Sequence, residues 1–143
     1  MVAYSFKAQF AAPILAGTKR QTIRATRKRH ACSGETLQLF TGMRTRFCRL
    51  IGTATCSAVF PITMIFPNGP IECGTLNPDA ALWTWHADKL DDFAIQDGFC
   101  DFAAMRAFWA DEYPGVDLFT GVLVQWTDFL PAQTKAAGRE PGG

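Results

Sequence analysis

The run from Phe47 to Phe60, FCRLIGTATCSAVF, limits what this chain can fold into more than any other stretch. Its β-branched and aromatic residues predict a long strand, bent at Gly52 and ended by Pro61, which has no N–H to give to a ladder. Shorter alternating segments surround it: Tyr4 to Phe10, Gln21-Thr-Ile-Arg24, Glu35 to Phe40, and a closing run from Phe119 to Phe129. Ile62 to Phe66 and Ile71 to Cys73 read as two short strands about the turn Pro67-Asn-Gly-Pro70. Phe10 to Gly17 reads as a short helix closed by its glycine, with Pro13 in the first turn.

The apolar period changes after Asp88, a candidate N-cap. Leu90, Phe93 and Ala94 share one helical face and Gly98 breaks the segment; Phe102, Met105 and Trp109 form a second face, with Asp101 at its positive end and Pro114-Gly115 at its stop. Residues 76–86 fit neither period clearly, although Trp83 and Trp85 lie two apart. The expected fold is α+β: many short strands curling into a small β-barrel, with helices between the later strands. One domain over residues 1–130 and a flexible tail from Pro131, where aromatics disappear, complete the expected organisation.

Charge is unevenly placed. Residues 1–49 carry ten Lys and Arg against one acid, Glu35, while residues 50–143 carry four against twelve. That division fits either an electropositive site for an anionic ligand or mutual neutralisation of the two halves. Five cysteines without a CxxC pair, and only two histidines, argue against a zinc site or a disulfide scaffold and fit buried thiols in a reducing cytoplasm. Neither a signal segment nor an apolar run of membrane-spanning length is legible, and no metal, cofactor or membrane partner is expected; the expected state is a monomer.

Six of the fourteen Lys and Arg residues fall within Ile14–His30, ILAGTKRQTIRATRKRH. An extended 20–24 segment places Arg20, Thr22 and Arg24 on one side, with Gln21 and Ile23 on the other. Lys19 and Thr22 then meet only if the chain bends at Gly17-Thr18, a bend that glycine permits. A lysine beside a threonine matters chemically: the hydroxyl becomes a nucleophile when a base accepts its proton, and a lysine acts as that base when burial and neighbouring cations lower its pKa. Arg20 and Arg24 favour that lowering and can bind an oxyanion or phosphate. Arg27, Lys28, Arg29 and His30 form a charged loop open to solvent or to RNA, and Trp83 and Trp85 are either packing residues or a stacking platform. His86, like His30, has no evident partner.

Gly17-x-Lys19-x-x-Thr22-x-Arg24, with Ile14-Leu-Ala before it and Gly34-Glu-Thr-Leu-Gln-Leu-Phe40 after it, resembles the signature of the ASCH domain family of the PUA-like superfamily. Phe93 to Phe99, the Phe102-x-x-Met-x-x-Phe-Trp helix and Phe119 to Trp126 are similar to later family elements, so the resemblance spans Phe6 to Trp126. It implies a small barrel with a cleft lined by the Lys-x-x-Thr-x-Arg segment, in a family implicated in RNA binding and in hydrolysis. One small bacterial branch is an amidohydrolase acting on N4-acetylcytidine, and carried over from it the catalytic group is Lys19, Thr22 and an acid that aligns with Asp97; Arg24 and Arg20, from their charge and placement, are the expected substrate-binding residues. That branch has glutamate where this chain has Asp97, one methylene shorter; Glu72, Asp92 and Asp101 are the alternative acids. The implied partner is a modified nucleoside, free or within RNA, and the rival readings are an RNA-binding module and a ribonuclease.

Overall fold

The computed structural model describes residues 1–26, 29–66, 71–73, 83–85 and 89–132. Two long antiparallel strands organise it. β4 (Arg49–Ile65) runs against β7 (Leu118–Pro131), from Gly52 opposite Pro131 to Ile65 opposite Leu118. The other edge of β4 takes β3 (Thr36–Thr41) along its first half and β5 (Ile71–Cys73) along its second. β1 (Val2–Phe6) joins β3 in parallel, β6 (Trp83–Trp85) extends β5, and β2 (Gln21–Arg24) pairs with the free edge of β7.

The strands follow their sequence patterns. Val2, Tyr4 and Phe6 are buried in alternation along β1, as are Leu37 and Leu39 along β3. β4 differs from expectation by continuing through Pro61 to Ile65. The β3 ladder ends at Thr55 and the β5 ladder begins at Ile62, so among the described residues β4 has a strand neighbour at Pro61 along one edge only, that of β7. Such an edge is where a strand accommodates a residue without an N–H. β7 likewise reaches Pro131, and the Ala132 N–H donates to Ile51 O at 2.8 Å, so the expected tail begins inside the sheet.

α1 (Ala11–Ala16) ends at Gly17, whose φ of 83° is the left-handed conformation expected there. α2 (Leu90–Gln96) has Lys89 rather than Asp88 at its N-cap, and α3 (Phe102–Glu112) starts from Asp101, whose carboxylate accepts from the Ala104 N–H at 2.8 Å. Leu90, Phe93, Met105 and Trp109 pack with Ile62, Met64, Ile71 and Leu123 in one apolar cluster; Tyr4, Ile14, Leu37, Leu39, Val124 and Trp126 belong to a second. Each such side chain contributes on the order of 1.5–3 kcal/mol. Asp88, the 67–70 turn, His86 and the side chains of Glu72, Trp83 and Trp85 lie outside the described residues. Among the described residues no helix is long and apolar enough to cross a membrane.

The thiols depart from expectation. Cys56, on β4, is buried, while Cys32, Cys48 and Cys100 lie outside the strands and helices and are exposed free thiols.

The fold is α+β with flanking helices, as expected, but its curl is not sealed by hydrogen bonds between β1 and β2 among the described pairings. A side chain spans the opening. Arg24 Nη2 donates to Ser5 O at 2.6 Å, and its guanidinium lies 5.2 Å from the Tyr4 ring centre and 4.8 Å from that of Phe6. Phe6 in turn meets Trp126 of β7 edge-on at 6.1 Å, so aromatic packing continues from β1 to β7.

The bend read at Gly52 coincides with a register shift, Leu39 opposite Gly52 followed by Phe40 opposite Leu50. A Cβ there would collide with Leu130 O and lie 2.7 Å from two ring carbons of Phe129. Gly52→Ala is therefore expected to cost about 1–3 kcal/mol, as overpacking does. Urea unfolding checks it: an unchanged midpoint would mean that the strands part without cost.

Candidate active site

Among the described residues four polar or charged side chains are buried: Lys19, Gln21, Thr22 and Asp97. They come from two places distant in sequence. The turn after Gly17, held by the Lys19 N–H on Pro13 O at 3.1 Å, delivers Lys19 just ahead of β2. Asp97 caps the C-terminus of α2, its N–H bonded to Phe93 O and Ala94 O, and the Arg20 N–H donating to Gln96 O ties that helix end to the start of β2. The bend required to bring Lys19 and Thr22 to one site is present.

Lys19 and Thr22 line a common cavity of about 170 Å³ with Asp97, Arg24, Ser5 and an aromatic wall that includes Phe6, Phe10, Phe99 and Phe108. Lys19 is 3% exposed. Its Nζ donates to Gln21 O at 2.8 Å and to the main-chain oxygen of Asp97 at 2.5 Å, and lies 3.8 Å from Asp97 Oδ1. The rings of Phe10 and Phe6 sit 4.8 and 5.4 Å from it. Gly98 makes room, since a Cβ at this position would lie 2.7 Å from Lys19 Cδ, and its φ of 99° suits glycine.

Thr22 Oγ1 accepts from Arg24 Nε at 3.0 Å. That bond leaves the hydroxyl's own proton to be donated elsewhere. Burial lowers the Lys19 pKa from 10.5 to about 8, with Asp97 opposing and Arg24 assisting the shift. Burial raises the Asp97 pKa from 3.8 to about 6, against the attraction of Lys19. Among the described residues no group of three His, Cys, Asp or Glu side chains is placed to hold a metal ion.

Of the expected residues, Lys19, Thr22, Asp97 and Arg24 come together, and Arg20 does not. Arg20 O still accepts from the Trp126 N–H of β7 at 3.0 Å, but the Arg20 N–H turns away to Gln96 O at the end of α2 at 2.9 Å, and its side chain is exposed instead of lining the cavity with Thr22. Among the alternative acids, Asp92 is exposed and Asp101 is engaged as the α3 cap. His30 has partners after all, the Tyr4 hydroxyl at 3.0 Å and Ala25 O at 3.0 Å, while Arg29 pairs with Glu35. Arg27 and Lys28 lie outside the described residues. Gln21 was missed. Strand alternation puts it opposite Thr22, on the face expected to be apolar, and a buried glutamine there was the available signal.

The architecture has solved counterparts. It matches the crystal structure of ASCH from Zymomonas mobilis with a TM-score of 0.52 at 14% identity, over 90% of this chain and 68% of that one. Crystal structures of two mutant forms of the Zymomonas mobilis protein match at 0.51 and 0.50, with 15% and 14% identity, again over 90% of this chain and 70% and 68% of theirs. The chain therefore has the ASCH fold. No protein-family model and no curated protein sequence matches it.

Linkage gives the pair a testable signature. Native Asp97 keeps its proton to about pH 6, whereas the unfolded carboxyl releases it near 3.8, so its contribution to stability is present at low pH and falls as pH rises through that window. Native Lys19 releases its proton near 8 instead of 10.5, so its contribution rises with pH across that interval. Lys19→Met leaves a buried carboxylate without its cation and should cost about 3–5 kcal/mol at pH 8. The loss should shrink at pH 5, where Asp97 is protonated; denaturant melts showing equal losses at both pH values would refute the coupling.

Proposed function

We propose that the chain is an ASCH-family amidohydrolase that removes the acyl group from N4-acylcytidine-type nucleosides. The observation that carries this reading is the convergence of Lys19, Thr22 and Asp97 in one cavity, from sequence positions 78 residues apart. Thr22 Oγ1 attacks the amide carbonyl and its proton passes to neutral Lys19. Arg24, donating to the same oxygen, stabilises negative charge that develops there before the bond forms. The C–N bond then breaks as the leaving exocyclic amine takes the proton back from Lys19, and water hydrolyses the acyl–threonine ester. Asp97 positions Lys19. The surrounding phenylalanines exclude water and offer flat faces to a pyrimidine.

A lysine with a pKa of about 8 is half neutral at that pH, so kcat/KM should rise with pH through about 8 and level off above it. Thr22→Ala should reduce cytidine release from N4-acetylcytidine by about 100-fold or more, the scale of losing a positioned catalytic group. Chromatography of the products tests both. Equal, near-zero release by wild type and Thr22→Ala across several acyl groups would sink the proposal.

One observation favours a second reading, contact with single-stranded RNA. Residues 36–71 contain no acid, and the loop entering β4 exposes Arg44, Arg46 and Arg49 beside Phe47, which is 72% exposed with the Arg46 guanidinium 4.9 Å from its ring centre. Among the described residues no ion pair engages Arg44, Arg46 or Arg49, whereas Arg29 pairs with Glu35. A short RNA should bind with affinity that falls as salt rises, and replacing the three arginines should flatten that slope by roughly three counterions' worth. Binding that ignores salt would count against it.

A further inference from the structure

The Lys19–Asp97 pair has a neighbour whose chemistry is unassigned. Gln21 is 1% exposed and does not line the cavity, although Thr22 beside it in β2 does. Its main-chain oxygen already receives a Lys19 proton. Its side-chain oxygen accepts from Gln125 Nε2 of β7 at 3.3 Å, across the register position where Gln21 and Gln125 face each other. That bond turns the Gln21 amide so that its NH₂ points away from Gln125.

Two buried polar atoms among the described residues have no hydrogen-bond partner: Gln21 Nε2, a donor, and Asp97 Oδ1, an acceptor. Buried donors and acceptors without partners are disfavoured, the Gln21 amide lies near enough to Asp97 to favour its ionised form, and the last torsions of both side chains are broad and soft, so a rotation can bring the two atoms together. We propose that Gln21 is a positioning residue that hydrogen-bonds Asp97 and holds its carboxylate toward Lys19, with Gln125 fixing which end of the Gln21 amide does so. The groups facing Asp97 are then Lys19 from the turn before β2, Arg24 from β2 and the Gln21 amide, each favouring the ionised form. The assignment rests on the reading of Lys19 and Asp97 as the proton-handling pair of the proposed hydrolase.

The test is a carboxyl-carbon NMR titration of Asp97 in the substrate-free full chain, for wild type, Gln21→Met and Gln125→Met. Gln21→Met keeps length and removes the donor, and should move the Asp97 midpoint up by roughly one pH unit, the size of one hydrogen bond to a charged group. Gln125→Met leaves the amide in place but unoriented, and should give a smaller shift of the same sign. Midpoints unchanged in both variants would overturn the proposal, even if Gln21→Met lowered thermal stability, because a merely structural glutamine would do that alone. If Gln21→Met does not fold, the Gln125→Met titration decides: an upward shift supports the assignment and none overturns it. Wild type inactive on every acylated cytidine would defeat the hydrolase reading while the titration still reports on Gln21.

Discussion

A lysine ammonium shut away from water is the interaction around which this molecule is arranged. Removing such a charge from solvent costs several kcal/mol even after relaxation, so it survives only with a carboxylate and hydrogen-bond acceptors close at hand. Lys19 has Asp97 at 3.8 Å and two main-chain oxygens at 2.8 and 2.5 Å. Those oxygens have fixed demands of their own. One belongs to the first paired residue of β2 and the other to the last residue of the α2 turn, so the strand start and the helix end must meet where the ammonium is. Glycine at 98 lets the chain turn away without touching the lysine stem, and Phe10 and Phe6 close the remaining sides with ring faces that tolerate a cation.

Most of the strands were legible because they bury one face against the core and expose the other. β1 and β3 alternate as their residues suggest, and the left-handed glycine at 17 marks the end of α1. Pro61 was misleading for a reason that sequence cannot carry: whether a proline stops a strand depends on whether its N–H side has a neighbour, and that depends on where β3 ends and β5 begins. The curl of the sheet was legible as a tendency, whereas the side chain that spans its opening was not. An arginine on an edge strand reads as solvated until the opposite edge, β1, is known to lie within reach of it.

The site shows the same division. The spacing from Gly17 to Arg24 is local, and a bend followed by a strand delivers Lys19 and Thr22 to one cavity as that spacing requires. Arg20 was misjudged because its N–H is claimed by Gln96 O at the distant end of α2, a contact that local spacing does not show. Asp97 carries two roles at once, helix terminus and partner of Lys19, and nothing within ten residues of it distinguishes the second from the first. Gln21 was passed over because its neighbours on that face are apolar, which is the setting in which an amide acquires a specific task.

The pairing of β2 with β7 also bears on the order of assembly. Gln21 and Thr22 face Gln125 and Val124, about a hundred residues later, and β7 is the last of the described strands. Contacts so distant in sequence form slowly, because the intervening chain must be gathered before they are rewarded. During synthesis from the N-terminus, the turn carrying Lys19 emerges early and waits for its strand partner until nearly all of the described chain exists. Before then its ammonium stays in water with an ordinary pKa, so the lowered pKa of the lysine is a property of the finished fold and cannot arise on a nascent fragment.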